Sequence, residues 1–328
     1  MARIFVYIAH RSGVVDDSAG ELAAAAKKID AAASPTAIVT GWGPDLDNVC
    51  SALRASYAEV WKIETEALAH PNAELLRKAL VRVLPAGATV LVPHDHFGID
   101  LAPGLSIKLN ASFVSDVLGI EGIEGTNLKV VRQEFGGQVS AHMRCDISSG
   151  AVLTVRPGAF KTPENIPLSG TVVDKSADVG ALAAGRRYLQ TIVAEAGDVD
   201  ITKQNLLVSI GRGIQAKENV AIAQELAEAL GAAVSCSRPV VDAKWLEKSR
   251  QVGSSGKTVK PKVYLACGIS GSFQHLAGIK GNPFIVAINK NPKAPIFRVA
   301  DVGIVDDILE FLPELTNKVR ELRSVAAK

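Results

Sequence analysis

Polar residues follow five apolar, strand-like segments in the second half of the chain. They are Gly211-Arg212-Gly213 after LLVSI, Ser237-Arg238 after AAVSC, Gly268 to Ser272 after VYLAC, Asn289-Lys290 after FIVAI, and Asp301 after IFRVA. Glycines let backbone N–H groups approach an anion, and arginines bind phosphate or lie over an aromatic ring. Asn and Asp suit ribose hydroxyls and adenine edges. Because the carboxyl ends of parallel strands meet at one edge of a sheet, these residues predict a dinucleotide site there.

Each of these motifs, taken alone, also has a purely structural explanation. The stretch ACGISGSFQHLAG can be a helix start capped by Ser270 or Ser272, with His275 a half-buried surface histidine. The segment SIGRGIQ lacks the third glycine of a dinucleotide-binding fingerprint. QVGSSGKTV, residues 251–259, is by itself typical of a surface loop. The prediction of a site therefore depends on the joint occurrence of the motifs.

Other kinds of chemistry are less well supported. His94 and His96 in PHDHFG lack a third metal ligand, and we expect them to be loop histidines. Cys267 continues an apolar strand without a positioned base, which favours a buried structural thiol over a nucleophile. GISGS differs from the G-x-S-x-G elbow of serine hydrolases. The sequence thus predicts neither a metal site nor a catalytic group.

Composition excludes several classes of protein. A length of 328 residues favours two domains, while a net charge of +2 and 5% aromatic residues argue against nucleic-acid binding. The four cysteines form no CxxC pair, so free, mostly buried thiols in a reducing compartment are expected. The opening MARIFVYIAH is too short for a signal peptide, and no apolar run approaches the roughly 20 residues of a membrane span. We expect a cytoplasmic protein that is not embedded in a membrane.

The first half of the chain alternates strand and helix patterns. RIFVYIAH, TAIVTG, EVWKIET and TVLVPHD each precede a helical pattern, which predicts βαβ units and a parallel sheet. Four runs between residue 113 and about residue 160 predict antiparallel strands appended to this sheet: FVSDVLGIEG, NLKVVRQEFGG, QVSAHMRCD and AVLTVRPGAF. After the linker-like KTPENIPLSG, the pattern predicts a strand at TVVD and a helix around GALAAGRRYLQTIVAEAG.

The second half begins a new βα pattern. NLLVSIG, AAVSCS, VYLACG, FIVAINK and IFRVAD are predicted strands, and AKENVAIAQELAEALG is a predicted helix. The last helix, IVDDILEFLPELTNKVREL, is amphipathic, and we expect Pro313 to interrupt it. The predicted fold class is α/β with two domains, each a mostly parallel sheet flanked by helices. Residues 1–200 form an α/β domain with appended antiparallel strands, and residues 201–328 form a doubly wound domain.

One long segment carries a resemblance to a known family. The segment QVGSSGKTVKPKVYLACGISGSFQHLAGIKG…FIVAINKNPKAPIFRVADVGIVDD resembles the FAD domain of the electron transfer flavoprotein α subunit. The family signature is close to LYIAxGISGAIQHLAG…IVAINKDPxAPIFxVADYGIVxD. The resemblance is specific from Ser209 onward and weaker upstream, in DLAPGLSIKLN, FGG and TVRPGAF. It implies an electron carrier that binds FAD in its second domain and has no substrate turnover of its own.

The resemblance also implies roles for individual residues. Arg212 is expected near the FAD pyrophosphate, the guanidinium of Arg238 against the isoalloxazine ring, and His275 at the flavin O2 side. Asn289 and Asp307 match family positions, the latter near the adenosine half. The implied cofactor-binding residues are Arg212, Ser237, Arg238, Gln251, Val252, Gly253, Ser254, Ser255, Ser270, Gly271, Ser272, Phe273, Gln274, His275, Asn289, Asp307 and Ile308.

The chain departs from the family pattern at three places. The loop that reaches flavin N5 usually has Gln-Thr where this chain has Ser254-Ser255. Upstream, GRDLAPRLA is replaced by GIDLAPGLS, so Ile99 and Gly104 stand in place of two arginines. Ser272-Phe273 replace Ala-Ile, a change that we expect to be tolerated.

The resemblance implies partners as well as a cofactor. It implies one FAD in this subunit, a β subunit that holds AMP or a second FAD, acyl-CoA dehydrogenases of fatty acid β-oxidation as donors, and a membrane-bound quinone oxidoreductase as acceptor. Two alternatives remain. The chain could belong to an NADH-dependent, flavin-based electron-bifurcating complex, or it could be a non-redox nucleotide-binding module that has kept the fold.

Overall fold

The chain divides into two compact units, Met1–Gln190 and Thr191–Lys328. The computed structural model describes residues 3–11, 13–135, 138–162, 169–191 and 199–326. The boundary that the sequence predicts near residue 200 lies next to residues 192–198, which are outside the described part of the chain.

The first unit is an α/β unit with one large sheet. Its strands are β1 (Ile4–Tyr7), β2 (His10–Arg11), β3 (Val14–Val15), β4 (Thr36–Gly41), β5 (Glu59–Glu64), β6 (Thr89–Pro93), β7 (Ser112–Glu124), β8 (Asn127–Glu134), β9 (Val139–Asp146), β10 (Ala151–Val155) and β11 (Thr171–Asp174). Its helices are α1 (Ser18–Ile29), α2 (Asp45–Leu53), α3 (Ala73–Val83), α4 (His96–Leu109) and α5 (Ser176–Val179), with a 3₁₀ turn at Glu66–Leu68. The large sheet has the order β11-β5-β4-β1-β6-β10-β7-β8-β9.

The predicted βαβ units are confirmed, and so are three of the antiparallel strands. The neighbouring strands β11, β5, β4, β1 and β6 pair in parallel. At the other end of the sheet, β7 pairs antiparallel with β8, and β8 with β9. The central strands β1, β4 and β6 are buried along their whole length. Strands covered by helices on both faces carry continuous apolar runs, which is the pattern of IFVY, TAIVTG and TVLVP.

Two predictions for the first unit were wrong. The AVLTV segment, β10, is parallel to both neighbours and lies between β6 and β7, inside the sheet. It is buried throughout, which is expected of a central parallel strand but not of an appended antiparallel one. Residues 180–191, the described part of the predicted helix GALAAGRRYLQTIVAEAG, form no helix, and the rest of that segment lies outside the described residues. Instead, backbone carbonyls of Ala181 and Ala183 accept hydrogen bonds from Arg82 and Lys78 of α3, which hold this irregular segment against α3.

The second unit has a five-stranded parallel sheet in the described part of the chain. Its strands are β12 (Leu206–Ile210), β13 (Ala233–Cys236), β14 (Val263–Cys267), β15 (Phe284–Ile288) and β16 (Val302–Ile304), in the order β13-β12-β14-β15-β16. Its helices are α6 (Val220–Leu230), α7 (Arg238–Asp242), α8 (Phe273–Leu276) and α9 (Ile308–Ala326). It also has 3₁₀ turns at Ile201–Lys203, Arg212–Ile214, Lys248–Arg250 and Pro295–Arg298. This strand order is that of a doubly wound sheet, so the predicted fold class is confirmed.

The strand order places a topological switch point between β12 and β14. From β12 the chain runs to one neighbour, β13, and then crosses back to β14 on the other side. Ligands of open α/β sheets bind in the crevice outside the carboxyl ends of the two strands at such a point. Ile210 and Cys267 are the paired residues at those carboxyl ends.

The last predicted strand of the second unit was wrong, and so was the predicted position of Asp301. IFRVA is not a strand, because Pro295–Arg298 form a 3₁₀ turn and the strand begins at Val302. Asp301 consequently lies at the amino end of the sheet, where its carboxylate accepts a hydrogen bond of 2.7 Å from the N–H of Ile285. Asp301 therefore cannot contribute to a site at the carboxyl edge.

Pro313 does not interrupt the last helix. α9 runs from Ile308 to Ala326 with Pro313 inside it. Ile308, Leu312 and Thr316 are buried at successive turns, and α9 packs along α6. This buried stripe crosses the proline and holds the two parts of the helix in line.

No helix among the described residues combines the length and the apolar character that a membrane span requires.

Candidate functional site

A cleft of about 660 Å³ lies at the carboxyl edge of the second sheet. Its volume falls within the range of roughly 300–1,000 Å³ that is usual for small-molecule sites. The residues lining it are Arg212, Gly213, Gln215, Ser237, Arg238, Pro239, Asp242, Gln251, Val252, Gly253, Ser254, Ser255, Gly268, Ile269, Ser270, Ser272, Gln274, His275, Asn289 and Lys290. The residues that follow β12, β13, β14 and β15 thus meet in one cleft, at the switch point of the sheet.

Two glycine turns, after β12 and after β14, form one side of this cleft. Gly211 N–H donates to the carbonyl of Cys267 over 2.9 Å, and Gly213 N–H donates to the carbonyl of Gly268 over 3.1 Å. A Cβ atom on Gly211 would lie 2.2 Å from the carbonyl oxygen of Gly268. Gly268 has a φ of +65°, which favours glycine. The glycines are therefore required for the two backbone turns to lie against each other.

Three cationic side chains line the cleft: Arg212, Arg238 and Lys290. Arg238 Nε lies 3.4 Å from Asp242 Oδ2, and Lys290 Nζ lies 3.1 Å from Asp307 Oδ2. All three cations come from segments directly after strands, and one carboxylate, that of Asp242, also lines the cleft. The excess of positive charge suits an anionic ligand such as a diphosphate.

The loop of residues 251–255 is anchored rather than free. Val252 N–H donates to the carbonyl of Cys236 at the end of β13, and Ser254 N–H donates to the carbonyl of Gln274 over 2.7 Å. Gln251 is buried, and its Nε2 donates to Ser255 Oγ over 2.9 Å. The hydrogen bonds fix the backbone of this loop as one wall of the cleft, so a free surface loop is not what the structure shows.

His275 is buried, with only 4% of its surface exposed, and is not the half-buried surface histidine of the structural alternative. Its Nδ1 lies 3.1 Å from the carbonyl oxygen of Val252, and its Nε2 lies 2.8 Å from Tyr264 Oη. Burial lowers the pKa of His275 to about 4, so the ring is neutral at pH 7. Ser272 stands at the N-cap position of α8 but makes no side-chain cap bond, so capping does not explain this serine.

Four residues of the predicted set are not among those lining the cleft: Gly271, Phe273, Asp307 and Ile308. Gly271 packs on the turn at Pro295–Arg298, where a Cβ atom would lie 2.4 Å from the N atom of Ile296. Ile308 is buried at the start of α9, and Asp307 accepts the N–H of Leu309 there over 3.0 Å. The remaining predicted residues line the cleft.

Sequence reasoning missed several residues that line the cleft. Gln215, Pro239 and Asp242 were not predicted at all. Gly213, Gly268, Ile269 and Lys290 were among the residues noted after strands but not in the set that the resemblance implies. Asp242 could have been found, because it follows Arg238 by four residues and such pairs face each other on a helix. Gln215 has a φ of +71°, which residues other than glycine rarely adopt, so this turn could not be predicted from the sequence.

The cysteines and the two histidines of PHDHFG were the other candidates for chemistry in the sequence. Cys267 is fully buried, and burial raises its pKa to about 12, which confirms a structural thiol. All four cysteines are free and buried, as predicted. His94 follows the end of β6 and bonds to Thr154 through Nδ1, while His96 begins α4. Among the residues that the structure describes, no group of three or more His, Cys, Asp or Glu side chains is arranged to hold a metal ion.

Comparison with known proteins agrees with the resemblance. Residues 4–185 match the family model of the electron transfer flavoprotein domain, and residues 200–280 match that of the electron transfer flavoprotein FAD-binding domain. The chain belongs to the electron transfer flavoprotein α-subunit family. Members of this family are electron carriers that pair with a β subunit. The FAD-binding match spans most of the cleft, from Arg212 to His275, and leaves Asn289 and Lys290 beyond its end.

Three relatives illustrate the breadth of the family. The electron transfer flavoprotein subunit alpha of Thermoanaerobacterium thermosaccharolyticum is 38% identical over 79% of this chain and 77% of its own. That of Methylophilus methylotrophus is 34% identical over 96% of this chain and 98% of its own. The LctC subunit of the lactate dehydrogenase (NAD(+),ferredoxin) of Acetobacterium woodii is 31% identical over 96% of this chain and 76% of its own.

The residues of the cleft fit the cofactor of the family. A dinucleotide needs cations for its diphosphate and hydrogen-bonding groups for its sugars and ring edges, and the cleft offers both. The cations are Arg212, Arg238 and Lys290, and the hydrogen-bonding side chains include serines, glutamines and Asn289. Asn289 itself is oriented by its Nδ2, which donates to the carbonyl of Ile269 over 2.9 Å.

Proposed function

We propose that this chain is the α subunit of an electron transfer flavoprotein, binds one FAD in the cleft of its second unit, pairs with a β subunit, and carries electrons between flavoenzymes. One observation carries the proposal. A single cleft at the switch point of the sheet brings three cations together with an anchored polar loop, and all of these except Lys290 lie in the part of the chain that matches the FAD-binding domain. Bound FAD would supply the reversible uptake of electrons, which no amino-acid side chain of the cleft provides.

The cations of the cleft have distinct proposed tasks. Arg212 follows β12 beside the packed glycine turns, and with Lys290 it would neutralise the diphosphate. Arg238 is mostly exposed at the rim, so its planar guanidinium is free to lie over the flavin ring. A cation over the ring favours the electron-rich form of the flavin and so raises its reduction potential.

The anchored loop would face the flavin ring. Gln251, Val252, Gly253, Ser254 and Ser255 line the cleft with their backbone held by β13 and α8. The hydroxyl of Ser255 already accepts from Gln251, and both Ser254 and Ser255 are exposed. Ser237, Ser270, Ser272, Gln274 and Asn289 would bond the rest of the cofactor.

The four predicted residues outside the cleft lining would support it. Asp307 holds Lys290 by an ion pair, and Ile308 packs against the turn at Gly268, where a Cβ atom would lie 2.9 Å from Ile308 Cδ1. Gly271 lets this turn contact the segment that begins at Pro295. Phe273 opens α8 directly before the cleft-lining Gln274 and His275.

Within the proposal, the chain is an electron carrier without substrate turnover of its own, because FAD rather than a side chain would take up the electrons. His275 is neutral with a partner at each ring nitrogen, and Cys267 is buried and protonated. Within the proposal, acyl-CoA dehydrogenases of fatty acid β-oxidation are the donors, a membrane-bound quinone oxidoreductase is the acceptor, the β subunit holds AMP, and the protein works in the cytoplasm.

A titration with FAD tests the proposal. The full chain, produced together with its β subunit, is freed of flavin and titrated with FAD, and binding is followed by the quenching of flavin fluorescence. Arg238→Ala is expected to raise the Kd at least about tenfold, because a cation–π contact and a charge are lost. Arg320→Ala is the matched control, since Arg320 forms a similar exposed ion pair with Glu225 outside the cleft. Equal FAD affinity of the two variants, or no binding at all, contradicts the proposal.

A second candidate is a subunit of an electron-bifurcating complex that uses NADH. The relative LctC, which belongs to a lactate dehydrogenase that uses NAD(+) and ferredoxin, favours this alternative. In that case the β subunit would hold a second FAD in place of AMP. Counting the flavins released per heterodimer decides between the two candidates. Two flavins and reduction by NADH support the alternative, and one flavin excludes it.

A further inference from the structure

Four polar groups from four segments form a continuous hydrogen-bonded chain next to the cleft. Ser209 on β12 and Tyr264 on β14 meet with 2.7 Å between Oγ and Oη. Tyr264 Oη lies 2.8 Å from Nε2 of His275, on α8, and Nδ1 of His275 lies 3.1 Å from the carbonyl oxygen of Val252. Ser209 and Tyr264 are fully buried. Of the four groups, His275 and Val252 line the cleft, and Ser209 and Tyr264 do not.

The partners of His275 fix the position of its proton. A carbonyl oxygen can only accept, so Nδ1 must carry the hydrogen that bonds to Val252. Burial lowers the pKa of His275 to about 4, so at pH 7 the ring has a single N–H and Nε2 has a lone pair. The contact between Nε2 and Tyr264 Oη is therefore a hydrogen bond donated by the tyrosine.

The same reasoning gives the direction of every hydrogen bond in the series. Tyr264 has one hydroxyl proton, and that proton goes to His275. The short contact between Tyr264 and Ser209 then requires the serine hydroxyl as donor. Ser209 donates to Tyr264, Tyr264 donates to His275, and His275 donates to the Val252 carbonyl, which accepts at the cleft end of the series. Hydrogen bonds aligned in this way strengthen one another in a region of low dielectric constant.

We propose that Tyr264 is a positioning residue of the FAD site, whose hydroxyl keeps the proton of His275 on Nδ1 and holds the imidazole against the Val252 carbonyl. This inference rests on the proposed function, because it concerns one wall of the same cleft. Tyr264 acts through His275 and does not itself line the cleft. The loop of residues 251–255 and the imidazole of His275 are thereby held in a single arrangement at the wall of the cleft.

Packing alone does not account for the tyrosine. Tyr264 belongs to an apolar cluster with Leu207, Val259 and Ala266, all of them buried. A phenylalanine would fill the same volume without a hydroxyl, and burying a hydroxyl is unfavourable unless it is hydrogen-bonded. The hydroxyl here is bonded, and its partner is a side chain of the cleft wall.

The first arm of the test is made on the flavin-free protein. In full chain labelled with nitrogen-15 at histidine, long-range nitrogen–proton spectra report which ring nitrogen is protonated, and the His275→Asn variant assigns the signals. The wild type is expected to show His275 with the proton on Nδ1, and Tyr264→Phe is expected to show a substantial share on Nε2. Tyr57→Phe is the matched control, because Tyr57 is equally buried and its hydroxyl donates to the carbonyl of Ala19 in the first unit.

Two results of this arm overturn the inference. One is a wild-type His275 whose proton sits on Nε2. The other is a Tyr264→Phe spectrum in which the protonation of His275 matches that of Tyr57→Phe. Should Tyr264→Phe fail to fold, Ser209→Ala takes its place. Ser209→Ala leaves Tyr264 able to donate but removes the hydroxyl that donates to Tyr264 Oη. A smaller rise in the share of His275 protonated on Nε2 is therefore expected, and no rise contradicts the series of aligned hydrogen bonds.

The second arm measures FAD binding by the same variants. Tyr264→Phe is expected to raise the Kd for FAD about fivefold, as for the loss of one net hydrogen bond of about 1 kcal/mol, while Tyr57→Phe leaves it unchanged. Equal affinity in both variants, with the tautomer altered, refutes the link between Tyr264 and the FAD site. A wild-type chain that binds no FAD refutes the proposed function instead, and the spectra of the flavin-free protein still decide the tautomer.

Discussion

Arg238 Nε lies 3.4 Å from Asp242 Oδ2, one turn further along α7, so a cation and a carboxylate that both line the cleft form an ion pair at its rim. Both side chains are more than 60% exposed, at 68% and 63%. An ion pair exposed to this degree contributes little to stability, and Arg238 is readily released from it. The carboxylate nevertheless lowers the positive potential of the cleft.

Removing the carboxylate of Asp242 is therefore expected to strengthen the binding of an anionic dinucleotide. Asp242→Asn should lower the Kd for FAD by up to about fivefold at low salt, in keeping with an exposed interaction of at most about 1 kcal/mol. The gain should shrink at high salt because exposed charges are screened. FAD titrations at two salt concentrations measure both effects. Weaker binding in Asp242→Asn would show that the carboxylate contacts the ligand.

The buried His275 should make stability depend on pH. Its pKa is about 4 in the folded chain, below the ordinary value of 6.5, so the unfolded chain binds more protons between these two values. Stability should consequently fall as the pH drops from 6.5 toward 4, by up to about 3 kcal/mol in all. Urea unfolding of the wild type and of His275→Asn at several pH values isolates this contribution.

The exposed His142 supplies a control for that experiment. His142→Asn makes the same substitution at an imidazole that pairs with Glu121 at the surface, and it shows what the change from histidine to asparagine does outside the core. If His275→Asn lost stability on acidification as steeply as the wild type, the buried neutral imidazole would not be the cause.

The contact between the two glycine turns predicts a strong effect of one methyl group. Gly211 has an extended backbone, so Gly211→Ala introduces no conformational strain, but its Cβ would lie 2.2 Å from the Gly268 carbonyl oxygen. The turns must separate, which should lower the free energy of unfolding by about 2 kcal/mol or more and weaken FAD binding. Gly185→Ala, where the nearest atom is 3.9 Å away, should have little effect. Urea unfolding and FAD titration of both variants test this. If Gly211→Ala had the stability and the FAD affinity of the wild type, the turns could move apart freely.

The four cysteines should be unreactive in the native protein. All are buried, and burial raises the pKa of both Cys236 and Cys267 to about 12, which keeps the thiols protonated. A thiol-specific chromogenic reagent should therefore titrate less than one group in the folded chain and all four in denaturant. A thiol that reacts rapidly in the wild type but not in Cys267→Ser would assign a chemical role to Cys267.

The sequence predicted which residues meet at the carboxyl edge of the second sheet better than it predicted the bounds and direction of individual strands. Arg212, Arg238 and Asn289 meet in the cleft because each follows a buried strand of a parallel sheet, a relationship that strand order alone determines. Asp301 was assigned to the wrong edge because the strand begins one residue after it, at Val302, rather than ending before it. A shift of a few residues moves a side chain from one end of a strand to the other.

The placement of β10 shows a similar limit. AVLTV was assigned to the antiparallel part because it follows a series of strand-like runs that are broken by turn glycines. Its unbroken apolar run was nevertheless the signal of a strand buried on both faces, whereas VSAHMRCD of β9 alternates and is largely exposed. The hydrogen bond between Tyr264 and His275 could not be predicted, since no spacing rule links a strand residue to a side chain eleven positions later.

The position of β10 between β6 and β7 also constrains the order of folding. β7, β8 and β9 precede β10 in the chain, yet β7 joins the parallel part of the sheet through β10. The antiparallel arm can thus form early from local contacts, but its strands join the ladder of the parallel part only when β10 inserts beside β6. Until then β6 and β7 each expose an unpaired edge, so conditions that delay this insertion should favour association between nascent chains at those edges.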